Sequence, residues 1–189
     1  GSSLGKTLVA NHITVDGVSL ASSLSGDGPP VVLLHGWACN RRFWQSQVEA
    51  LSADHLVLAP DFRGHGESDV PAGGYTLERL AEDVHEIMSA MNMAPAAVVG
   101  HSMGGMIAQR LAVSHPKDLS ALALVATAAA DPDGRLISGR IAAETLETGY
   151  HAAFQRYFPG WFPSDGDPAL TEWVRSQMLR TPERVALDL

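Results

Sequence analysis

Gly100-His101-Ser102-Met103-Gly104-Gly105 is the stretch whose residue types and spacing could do chemistry. A serine hydroxyl attacks a carbonyl only when a base takes its proton and fixed N–H donors receive the negative charge on the carbonyl oxygen. The spacing Gly-x-Ser-x-Gly has a mechanical reason. A serine at the tip of a tight strand-to-helix turn is pushed into a strained backbone conformation, and the residues two before and two after it must lack side chains for strand and helix to pass. Ser102 is therefore the candidate nucleophile, Gly100 and Gly104 are its spacers, and His101 is a packed neighbour at the variable position. Ser102 would sit at the positive end of the following helix, with the Met103 N–H aimed where an oxyanion would form. The competing reading is a glycine-rich turn that merely packs a helix on a sheet.

The flanking elements suit the first reading. Residues 96–99, Ala-Ala-Val-Val, are a continuous apolar run of the kind found in parallel strands covered on both faces. Met106, Ile107, Leu111, Ala112 and Val113 make an apolar helix, stopped by Pro116. Upstream, residues 8–15 and 18–24 around Asp16-Gly17 read as a hairpin with a two-residue turn. Residues 31–34 and 56–59 are further buried strands, and Phe43, Trp44, Gln47, Val48 and Leu51 fall at helical spacing between them. Thr76 can cap a helix carrying Leu77, Leu80, Ala81, Val84, Ile87, Met88 and Met91. Residues 119–125 form another apolar run. Such alternation predicts an α/β fold: a doubly wound, mainly parallel sheet with helices on both faces.

From Ala128 the character changes. Residues 135–158 read as helical, and Tyr150, Phe154, Tyr157, Phe158, Trp161 and Phe162 cluster. Asp167-Pro168 is a cap and first position for a helix, and Thr181-Pro182 repeats that signal. The expected division is a core over 8–129 and a helical lid over 130–189, across the sheet edge where ligands bind in such folds. Most of the lid aromatics are expected to be core of that lobe.

Composition bounds the partners. The 189 residues carry a formal net charge of -8 with 46% hydrophobic and 18% charged residues, so the chain is globular. No basic run supports nucleic acid or an anionic membrane as partner, and no apolar run reaches the roughly 18 residues of a membrane span. The single cysteine, Cys39, excludes an internal disulfide framework and suits a cytoplasmic location. No metal-ligand spacing, phosphate loop or dinucleotide fingerprint stands out, so no metal and no cofactor are expected. His12, His55, His85 and His115 read as bystanders.

His35-Gly36-Trp37 after one strand, Asp61-x-Arg63-Gly64-x-Gly66-x-Ser68 after the next, and Gly100-His101-Ser102-Met103-Gly104-Gly105 together resemble the α/β-hydrolase superfamily in order and spacing. The run 104–129, ending Ala126-Thr127-Ala128-Ala129, looks most like the branch of 3-oxoadipate enol-lactonases and small esterases. The resemblance implies a serine hydrolase cleaving a carboxylic ester or lactone through an acyl-enzyme on Ser102. It implies an oxyanion hole from the backbone N–H groups of Trp37 and Met103, with His35 and Gly36 shaping the loop that presents Trp37. It implies that Arg63 and His65 are scaffold.

The same resemblance implies the chain order serine, acid, histidine, the last two on strands beyond the lid. No such strand follows the lid here, so the expected fold is truncated before its last two strands. An internal alternative is Asp131 as acid and His151 as base, the order being Ser102, Asp131, His151. Without further strands, residues 119–125 would present an open apolar edge, suited to a homodimer or a complementing chain. This chain alone is then expected to be nearly inactive. Two other readings fit the scaffold: a cofactor-free oxygenase or haloperoxidase-like enzyme, and a non-catalytic ligand-binding fragment.

Overall fold

The computed structural model describes residues 11–129 and 147–189. Six strands, β1 (Asn11–Val15), β2 (Val18–Ser25), β3 (Pro30–Leu34), β4 (Leu56–Pro60), β5 (Ala96–His101) and β6 (Leu119–Val125), form one sheet in the order β1-β2-β4-β3-β5-β6. The hairpin β1/β2 and the β2/β4 pair are antiparallel; β4, β3, β5 and β6 run parallel. Asp16 and Gly17 both have positive φ, 50° and 72°, as a type I′ turn requires. Helices α1 (Gln45–Leu51), α2 (Leu77–Ala90) and α3 (Met103–Ser114) connect the parallel strands. The expected doubly wound α/β sheet is present.

Strand alternation separates two core layers. On β3, Val32 and Leu34 face α2 and α3, joining Leu58, Val98, Leu80, Val84, Ile87, Ile107 and Leu111 in the larger core. Val31 and Leu33 face the other way, against Val57, Ala59 and Val48 of α1. Both faces of the central strands are thus covered, which explains their continuous apolar sequence. Thr76 caps α2 as expected, its hydroxyl accepting from Arg79 N–H. Residues 41–44 form a 3-10 turn rather than the start of α1.

The described residues 147–189 carry three α-helices: α4 (Tyr150–Tyr157), α5 (Pro168–Met178) and α6 (Glu183–Asp188). Asp167 caps α5 through its side chain. The second start signal is corrected: Pro182 is the cap residue of α6, without a side-chain bond, and the Thr181 hydroxyl instead donates to Ala38 C=O at 3.0 Å. The buried hydroxyl has one O–H to donate and gives it to a carbonyl 143 residues away. Residues 8–10, the first half of the helix expected over 135–158, and Asp131 lie outside the described residues.

Among the described residues β6 is an edge strand. Leu122, Leu124 and Val125 are 41%, 45% and 43% exposed, so the apolar edge foreseen in the sequence is real. No helix among the described residues is long and apolar enough to cross a membrane.

Candidate active site

The turn between β5 and α3 carries Ser102 in a backbone conformation of φ 53°, ψ -121°. A non-glycine residue there is strained, at a cost on the order of 1–3 kcal/mol, and persists only where its surroundings hold it. Those surroundings are visible. Ser102 N–H donates to Val125 C=O at 3.0 Å, pinning the turn to the end of β6. The Thr127 hydroxyl donates to Ser102 C=O at 2.6 Å, and Gly105 N–H to the same oxygen at 2.9 Å. Thr127 as the brace of this turn was not assigned from sequence; its only signal was its place two residues after an apolar run.

The glycines explain the close passage. A Cβ on Gly100 would lie 2.3 Å from Gly104 C=O, and a Cβ on Gly104 would lie 2.3 Å from Leu34 C=O and 2.5 Å from His35 C=O. Gly105 faces the Thr127 side chain, where a Cβ would meet it at 2.6 Å. Helix α3 therefore starts against the backbone of β3 and of the loop that follows it. From that side Gly36 presses on the turn: its Cβ position is 3.2 Å from His101 Nδ1 and 3.3 Å from Ser102 Cβ. Trp37 is partly buried next to it, and Met103 is fully buried at the helix start. The structure thus brings Gly36 and the residues 100–105 into contact, with Trp37 adjoining them in the chain.

The loop 36–41 is held from two sides. Below it, Arg41 N–H donates to Asp61 at 2.6 Å, and the Arg41 guanidinium pairs with Asp61 and Glu67. Above it, Trp37 Nε1–H donates to Ala186 C=O at 3.1 Å, Asn40 to Gln177 at 3.3 Å, and Thr181 to Ala38. Ala38 has φ 56°, so the Thr181 bond falls on another strained residue. Tyr150, Phe154, Phe158 and Met178 form an apolar cluster with Ala38 and Cys39. Of the six clustered aromatics, Tyr150, Phe154 and Phe158 are buried, Tyr157 and Phe162 are partly buried, and Trp161 is 49% exposed. Burial pushes the Cys39 thiol up to about 12, so it stays protonated.

The histidines separate by role. His35 is buried; its Nδ1–H donates to Gly36 C=O at 2.8 Å, and its Nε2 accepts from Phe62 N–H at 3.2 Å. Both nitrogens are committed to shaping the loop, and burial lowers its pKa to about 4. His65, also buried, is lowered to about 3 by burial and then by His35. Neither is a free base for Ser102. Burial also lowers His101. His151 is exposed on α4, edge-on to Tyr150 at 5.5 Å. Among the described residues no hydrogen bond joins Ser102 Oγ to a histidine.

The two buried rings give a pH prediction. An unfolded histidine takes up a proton near pH 6.5, whereas these resist until about 4 and about 3. Below pH 6.5 the unfolded state binds more protons, so this stability is complete above pH 6.5 and drains as pH falls toward 4. By pH 5 the loss should be about 2 kcal/mol per histidine. Urea unfolding at pH 7.5 and pH 5 measures it; equal midpoints would mean the rings are charged or exposed.

Comparison with known proteins agrees with the architecture. Residues 29–171 match the family described as alpha/beta hydrolase fold. An uncharacterised protein of Mycobacterium bovis is 32% identical over 124 residues, 66% of this chain and 36% of its own length. A soluble epoxide hydrolase of Corynebacterium is 36% identical over 103 residues, 54% of this chain and 36% of its own. The matches thus span about a third of these relatives. The enol-lactonase structure from Burkholderia xenovorans superimposes with a TM-score of 0.83 at 30% identity, covering 94% of this chain and 71% of that one. With a strained serine between β5 and α3, glycines at the crossing, and a match over most of its length, this chain belongs to the alpha/beta hydrolase fold family.

Proposed function

We propose that the protein hydrolyses a carboxylic ester or lactone through an acyl-enzyme on Ser102. The observation that carries this reading is the Ser102 backbone at φ 53°, ψ -121°, held by Val125 and Thr127 at the start of α3. A residue strained this way and braced by its neighbours is the expected form of a presented nucleophile. The similarity to a lactonase structure supports the substrate class.

In the proposed reaction Ser102 Oγ attacks the carbonyl carbon while its proton passes to a base. The tetrahedral oxyanion rests on the N–H groups of Met103 and Trp37; loss of one such donor costs on the order of 100- to 1000-fold in rate. Expulsion of the alcohol leaves the acyl-enzyme, which water then cleaves. Met103 lies at the first turn of α3, where the helix dipole adds to the attraction for the anion.

A fluorophosphonate tests the assignment. The wild-type chain should gain one phosphonyl group by intact mass, and Ser102→Ala should gain none. Equal labelling of both, or none of the wild type, would overturn it.

A further inference from the structure

A second group of chemical side chains lies at the opposite end of α3. His115 follows the last residue of α3, twelve residues and about 18 Å along the helix from Met103. Its Nε2 is 2.8 Å from Glu82 Oε1 on α2. One helical turn on from Glu82, His85 Nδ1 is 2.6 Å from Asp118 Oδ2. The two imidazoles lie face to face, centroids 3.7 Å apart and planes within 5°. One ligand atom each from His85, His115 and Asp118 fall within 4.8 Å of one another.

We propose that His85, His115 and Asp118, with Glu82 beside His115, form a site for a divalent transition-metal ion of the zinc type, joining α2 to the end of α3. The donor chemistry is suitable: imidazole nitrogen and carboxylate oxygen bind zinc and cobalt at about 2.0–2.2 Å, usually four to an ion. The placement is suitable as well. Glu82 and His85 are three apart on α2 and share a face, while His115 and Asp118 come from the turn that ends α3. The negative end of the α3 dipole and two carboxylates favour a cation there.

The stacked rings define what binding must change. A metal lies in the plane of each imidazole it bonds, so parallel rings cannot both ligate without one turning about its Cβ–Cγ bond. There is room for that turn. The His85 and His115 side chains are 33% and 24% exposed, and a surface cleft of about 330 Å³ lined by Ile13, Glu86 and Ser89 adjoins His85. In the metal-free state each carboxylate only accepts, so the facing ring nitrogen carries the proton. Binding at a nitrogen that carries its proton requires that proton to move to the other ring nitrogen, so each imidazole stays neutral and offers its lone pair to the ion, beside charged carboxylates. The alternative is two imidazole–carboxylate pairs that tie the helices with no ion.

The test is titration of the full chain with zinc chloride, followed by calorimetry, with cobalt(II) chloride as a spectroscopic probe. The expected result is one equivalent bound, a raised melting temperature, and visible cobalt bands from nitrogen and oxygen ligands. His85→Ala and His115→Ala should each weaken zinc at least about tenfold. His55→Ala, at an exposed histidine–aspartate pair elsewhere, should leave affinity unchanged. If the alanine variants fail to fold, the cobalt-shifted imidazole proton resonances of the wild type still identify the ligands. No stoichiometric binding, binding unaltered by both substitutions, or shifted resonances from other histidines would overturn the proposal.

Discussion

Gly104→Ala should destabilise the protein by about 3 kcal/mol or more and abolish fluorophosphonate labelling of Ser102. Overpacking a well-filled interior costs on the order of 1–3 kcal/mol when side chains can yield. Here they cannot, because the added methyl would meet Leu34 C=O at 2.3 Å and His35 C=O at 2.5 Å, both backbone. Relief requires α3 to move away from β3. That motion carries Met103 N–H and the Ser102 backbone with it, since Gly105 and Met106 N–H groups are bonded to Ser102 C=O. The loss of labelling should therefore persist at low temperature, where the variant is folded. Gly73→Ala is the control: nothing lies within 4 Å of its Cβ position, so stability should change by no more than about 1 kcal/mol. Urea unfolding and intact mass read the two effects separately. A Gly104→Ala protein with wild-type stability and labelling would mean the crossing is looser than its glycines indicate.

Much of this arrangement was legible in the sequence because its causes are local. Continuous apolar runs marked β3, β4 and β5, and Thr76 and Asp167 marked helix starts through bonds to N–H groups two or three residues on. The Ser102 turn was legible for the same reason: crossing and strain depend on glycines within a few residues. What was illegible joins residues far apart. Thr181 looked like a helix cap, yet it serves Ala38, because the choice between a local N–H and a distant carbonyl is made by tertiary placement. Thr127 on Ser102 and Trp37 on Ala186 belong to the same class. His85 and His115 sit thirty residues apart with no ligand spacing between them, so they read as bystanders until the fold stacked their rings. The triad question has the same origin: Asp131 and His151 satisfied an order along the chain, but His151 is exposed and unbonded to Ser102, and Asp131 lies outside the described residues.

Asp83→Ala is expected to cost about 3–5 kcal/mol, the penalty for leaving a buried charge without its partner. Arg63 and Asp83 form a two-bond pair, Nε to Oδ2 and Nη2 to Oδ1, both 2.6 Å, with side chains 4% and 1% exposed. Arg63 comes from the loop after β4 and Asp83 from α2, so the pair fastens that loop to the helix layer. Arg79 also reaches Asp83 but keeps Glu86 when Asp83 is lost, whereas the Arg63 side chain, 4% exposed, has little contact with water that could replace its partner. Arg63→Ala should cost a similar amount, and the double variant distinctly less than the sum, because neither charge is then stranded. Equality with the sum would mean that the two side chains act independently. The same loop begins with Asp61, which holds Arg41 and through it the loop beside Ser102. If the pair serves only to fasten, folded Asp83→Ala protein should label at the wild-type rate once corrected for its folded fraction. A slower rate in the folded state would show that the loop position reaches Ser102, through Asp61 and Arg41, and that the buried pair sets the site as well as the stability.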